Sequence, residues 1–199
     1  MNPLRKCIAP FLCAFVACPV FILLHELGHY AAGASLGVSV KLHYAEVSGI
    51  IAKKKLTWQS SVLLTAAGPF VNAALAAVGF LWLHRLRRQR REAEPTLRDW
   101  LATTLVLNAG RWLRGFTGPP SHAQPKDESL VSQAIGLPAW FLPYLLALLA
   151  VIAVIATLRL HPPGGRFLPF LSMGLGGVTG VFLWMNVVGP YLLPLKIAL

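Results

Sequence analysis

Residues 25–29 read HELGH, two histidines four positions apart with a glutamate directly after the first. On an α-helix, positions i and i+4 share one face, so His25 and His29 can each aim an imidazole nitrogen at a single ion. Glu26 falls beside that ion and off the ligand axis. There it suits a general base that takes a proton from water acidified by the ion, whose pKa in zinc sites drops to roughly 7. A lone histidine on an apolar helix is usually a hydrogen-bonded packing residue. Here, however, three ionisable groups fall within five residues of the apolar stretch AFVACPVFILLHELGHYAAGASLGV. Such groups are costly in a bilayer segment unless they serve a site. Metal binding is therefore the expectation.

The elements that must position these residues are set by composition. Of 199 residues, 56% are hydrophobic and only 13% charged, too few polar groups to cover a soluble domain of this size. Several apolar runs approach the roughly 20 residues that cross a bilayer core. The fold class is an all-α polytopic membrane protein, one domain over residues 1–199, with about five transmembrane helices near 8–33, 61–84, 98–114, 138–158 and 167–189. Pro10 and Pro19 predict a bent first half of the first helix. Partial alternation in VSVKLHYAEVSGIIAKKKLTW predicts a short β-hairpin between the first two helices, with Ser48-Gly49 as its turn.

The 18 Lys+Arg against 7 Asp+Glu give a net charge of +11. Most of these cations flank apolar runs, as anionic headgroups and topology require, so nucleic acid is not an expected partner. Cys7, Cys13 and Cys18 form no CxxC pair and read as buried thiols. SLVSQAIGLP predicts a short helix closed by Gly136 and Pro138, and MGLGGVTG gives the last segment a small-residue face for close packing.

Two blocks, HELGHYAAG at 25–33 and LTAAGPFVNAALA at 64–76, resemble the site-2 protease family of intramembrane zinc metalloproteases. Their order, metal helix, hairpin, Gly-Pro helix, is similar as well, and the resemblance covers roughly the first 85 residues. It implies one zinc ion held by His25, His29 and an aspartate, with Glu26 as catalytic base. It also places Gly68, Pro69 and Asn72 by the active site, where Asn72 is a candidate for holding substrate backbone. From the residues alone, Gly68 and Pro69 equally serve to bend a packed helix, and Asn72 to bond a neighbour.

The chain has two aspartates, Asp99 and Asp127. Counting crossings puts Asp127 on the histidines' side of the membrane and Asp99 on the other, which favours Asp127 as third ligand. Asp127 also reads as the N-cap of the helix that follows it. Glu128 and His122 are reserve ligands, and His43 a weaker one. Asn108 resembles the asparagine that precedes the family's aspartate motif, and Arg111 is a partner for Glu128 or Asp127, or a snorkelling cation.

The expected function is a zinc endopeptidase that cuts peptide bonds in or beside transmembrane segments of membrane-protein substrates, with the bilayer as its medium. The expected location is a multi-pass position in a bacterial cytoplasmic membrane. The alternative is a catalytically inactive metal-binding membrane protein that binds helices without cleaving them. The oligomeric state is open.

Overall fold

The structure, a computed structural model, describes residues 3–51, 57–88, 90, 93–117, 127–163 and 166–193. The elements run α1 (Pro3–Ser35), β1 (Ser39–Leu42), β2 (Val47–Ile51), α2 (Trp58–Arg88), α3 (Leu97–Leu107), a 3-10 helix (Asn108–Thr117), α4 (Asp127–Ala134), α5 (Phe141–Leu160), α6 (Phe167–Leu183), a π turn (Trp184–Val188) and α7 (Gly189–Leu192). Among the described residues, four helical stretches are long and apolar enough to cross a membrane: Lys6–Ser35, Trp58–Arg88, Phe141–Leu160 and Phe167–Leu192. The chain is an all-α polytopic membrane protein.

The third expected crossing differs. Its α-helix lasts 11 residues and then tightens into a 3-10 helix at Asn108. Asn108 is the physical reason on view: its side-chain amide turns inward to the Asn72 carbonyl of α2 at 3.3 Å, and the charged and glycine-bearing NAGRWLRG sequence that follows offers little apolar surface to prolong a buried α-helix.

α1 stays helical through both Pro10 and Pro19. It ends where Gly37 takes a left-handed φ of 69° and the Val38 N–H returns to the Gly33 carbonyl at 2.9 Å, a Schellman closure. That closure turns the chain into the hairpin, which pairs antiparallel with Lys41 opposite Ser48 and Leu42 opposite Val47. The hairpin is where the sequence predicts one, but the turn is His43–Glu46, closed by the His43 N–H to the Glu46 carbonyl at 2.9 Å. Ser48 and Gly49 lie inside β2. The hairpin is fastened at its far side by the Trp184 indole N–H to the Tyr44 carbonyl at 2.8 Å.

α6 packs along α1. Gly176 and Gly180 let it approach so closely that a Cβ on either would come within 2.9–3.0 Å of the Phe11 or Phe15 carbonyl carbon. At the basic end, Arg87, Asp99 and His161 are buried together. Arg87 donates to the carbonyls of Leu160 at 3.1 Å and Ala93 at 2.9 Å. Asp99 caps α3 by accepting from the Thr96 N–H and hydroxyl at 2.7 and 2.6 Å. The Thr103 hydroxyl meets His161 Nε2 at 2.8 Å, and the Trp100 ring stacks on the imidazole. This knot joins α2, α3 and α5, roughly 28 Å along α2 from Gly68 at 1.5 Å per residue.

Candidate metal centre

His25 and His29 lie on the face of α1 that α2 crosses. Gly28, between them, permits the crossing: a Cβ there would lie 2.8 Å from the Ala67 carbonyl oxygen. On the facing helix, Gly68 abuts the imidazoles. A Cβ at Gly68 would stand 2.7 Å from both Cε1 and Nε2 of His25, and closer still to His29 Nε2. The two glycines thus bring the helices together and seat the α2 backbone directly against the rings.

Each imidazole is oriented through its Nδ1. His29 Nδ1 donates to the Leu64 carbonyl at 2.7 Å, a bond that requires the proton on Nδ1 and leaves Nε2 a lone pair. His25 Nδ1 meets the Asn72 side-chain amide at 2.9 Å. Asn72 is fully buried and is itself met by Asn108 Nδ2, 3.4 Å from Asn72 Oδ1. In this orientation Asn72 Nδ2 donates to His25 Nδ1, so a neutral His25 carries its proton on Nε2, towards Asp127. Both Nε2 atoms face inward, 3.2 Å apart.

Asp127, the first residue of α4, completes the group. Its Oδ2 is 3.2 Å from His25 Nε2 and 3.3 Å from His29 Nε2, and the two Nε2 atoms are 3.2 Å apart. Burial opposes ionisation of Asp127. When the imidazoles carry protons on Nε2, their bonds and charge outweigh it and hold the carboxyl well below the usual carboxylate range. α4 is held by the Trp58 indole N–H to the Ala134 carbonyl at 2.7 Å, and by the Leu142 N–H to the Ser132 hydroxyl at 3.0 Å. Gly136, with φ 79°, ends the short helix the sequence predicts there.

Three potential ligand atoms converge at 3.2–3.3 Å. The triangle's edge matches that of a tetrahedral ion with bonds of about 2.0–2.1 Å, for which the ligand–ligand distance is roughly 3.3 Å. The donor types and their spacing fit. His25, His29 and Asp127 could hold a metal ion.

Glu26 is buried beside this group, and the charges of His29, Arg111, Asp127 and the hairpin's Glu46 all act on it. Arg111 also acts on His25. The sequence suggests Glu128 or Asp127 as the partner of Arg111, and its nearness to Glu26 was not legible there. Pro69 follows Gly68 within α2 and, lacking an N–H, withholds a bond from the Thr65 carbonyl. Of the reserve ligands, Glu128 is buried on α4 and His43 in the hairpin turn, both outside the triad, and His122 lies outside the described residues. Asp99 belongs to the knot at the basic end. The Leu64 carbonyl and the Asn108–Asn72 contact went unread in the sequence, because backbone carbonyls and amide chains leave no spacing signal.

No protein-family model matches the chain, and neither does any curated protein or solved structure.

Proposed function

We propose that the chain is a membrane-embedded zinc endopeptidase acting on peptide bonds in or beside transmembrane segments of other membrane proteins. One observation carries this reading. Two histidines of a membrane-spanning helix and an aspartate of α4 form a triangle of tetrahedral size, with a buried glutamate adjacent in sequence to one of its members. A triad serving only structure has no need of that glutamate.

His25, His29 and Asp127 would hold one zinc ion, which when bound supplies a Lewis acid next to the scissile carbonyl. Glu26 then does the proton work. Its carboxylate takes a proton from the attacking water as the C–O bond forms, and delivers it to the amide nitrogen as the C–N bond breaks. Asn72, backed by Asn108, holds the tilt of His25. The Leu64 carbonyl does the same for His29. Gly68 keeps the reacting volume free of side chain. A helical substrate hides its amides in hydrogen bonds and must unwind, and the edge of the β1–β2 hairpin offers a strand to hold it extended.

The test is Glu26→Gln, which removes the base and keeps the side-chain volume. The purified variant should retain zinc near one per chain and lose at least about 100-fold in cleavage of a transmembrane peptide. Undiminished cleavage by the variant, or absence of zinc from the wild type, would sink the reading. Zinc bound by a wild type that cleaves no peptide would turn it to a helix-binding protein without catalysis.

A further inference from the structure

The basic end of the molecule holds a second cavity, of about 760 Å3, walled by Trp82, Arg85 and Leu86 of α2, by Arg90, and by Leu97 and Arg98 at the start of α3. It plays no part in the metal centre. Its lining mixes charged and apolar groups. Three guanidinium groups share it with an indole, two leucines and Thr96, and Leu97 is 59% exposed.

Among the described residues, the nearby acids are already engaged. Glu94 holds Lys6 at 2.6 Å. Asp99 is taken by Thr96 and faces Arg87 and Arg90 only at 3.9 Å. Among the described residues, Arg85 and Arg98 make no hydrogen bond or ion pair. Arg90 reaches Asp99 only at 3.9 Å, so like charges gathered around this space repel one another, and an anion in it relieves the repulsion. α2 reaches this level at the end of its membrane-spanning stretch, where indoles sit at the boundary between apolar chains and headgroups.

We propose that this cavity binds the phosphate of an anionic phospholipid from the surrounding leaflet. Arg85, Arg90 and Arg98 grip the phosphate oxygens, a pairing that the planar fork of guanidinium suits. Trp82, Leu86 and Leu97 flank the glycerol and the first methylenes of the acyl chains. A headgroup carrying an amine or choline brings a fourth positive charge among the arginines and is disfavoured. A bare phosphate leaves the apolar lining and most of the volume unfilled. The bound lipid bridges the end of α2 and the start of α3, the link that sets where the Asn108 and Arg111 segment begins.

The experiment compares the thermal unfolding midpoint of the detergent-purified full chain with added phosphatidylglycerol, phosphatidylcholine or glycerol phosphate. Phosphatidylglycerol should raise the wild-type midpoint by about 2–4 °C, and the other two should leave it unchanged. In Arg85→Gln/Arg98→Gln the rise should fall by half or more. Arg159→Gln, an exposed arginine at the end of α5 outside the cavity, should keep it in full. If the double variant does not fold, each single variant should show a reduced rise. An undiminished rise in the arginine variants overturns the proposal, as does an equal rise with phosphatidylcholine. An equal rise with glycerol phosphate overturns the lipid and leaves a soluble phosphate ester as ligand.

Discussion

Gly68 of α2 touches the imidazole of His25 so closely that the smallest side chain would collide with it: a Cβ would lie 2.7 Å from the ring's Cε1 and Nε2. The helix crossing and the metal centre are therefore one piece of construction. Gly68→Ala should lower bound zinc at least tenfold, since the methyl collides with the imidazole ligands. The helices should stay assembled, at a cost of about 1–3 kcal/mol for an overpacked contact. Zinc per chain by elemental analysis, alongside far-ultraviolet circular dichroism, checks both halves.

Asp127 supplies the only anionic donor of the triad. Asp127→Asn keeps the shape and removes the charge, so zinc per chain should fall sharply while α4 still forms. Full occupancy in this variant would move the third ligand to another residue, with Glu128, buried on the same helix, the next to change.

Asn72 contacts His25 and Asn108 and is sealed from solvent. Substituting leucine preserves much of its volume and leaves His25 Nδ1 without a partner. Losing such an orienting contact typically weakens metal affinity about 10–100-fold. Competition with a zinc-binding dye reads this directly. An unchanged affinity would return Asn72 to a role on the substrate.

His161, just beyond α5, is pushed down to about 4 by burial first and then by the charges of Arg87 and Arg166, with Asp99 opposing. The folded ring stays neutral while the unfolded chain takes up a proton near the ordinary value of 6.5. Its contribution is therefore intact above pH 6.5 and is lost as pH falls towards about 4, amounting to roughly 2–4 kcal/mol at the acid end. Unfolding midpoints of wild type and His161→Gln between pH 7 and 4 check this: the wild-type curve should fall more steeply.

What the sequence discloses and what it hides divide along a physical line. The pairing of His25 with His29 is legible because helical period is local. The same holds for the hairpin, although its turn is displaced: His43–Glu46 carries no glycine or proline to announce it, whereas Ser48-Gly49 announces a turn that the strand absorbs. Counting crossings brings Asp127 to the histidines' side. The Gly28 and Gly68 approach, the reach of Asn108 to Asn72, and the place of Arg111 near Glu26 depend on how α1, α2 and the 3-10 helix cross, and no spacing encodes a crossing. The break of the third segment at Asn108 is hidden for the same reason, since its cause is a contact with another helix.

His25 and Asp127 are separated by 102 positions in the chain. A ribosome releases α1 and α2 into the bilayer long before the residue that completes the triad has been made. During that interval the half-built protein holds two imidazoles and a glutamate but no complete ligand set. Completion of the triad thus waits on the synthesis and docking of α4.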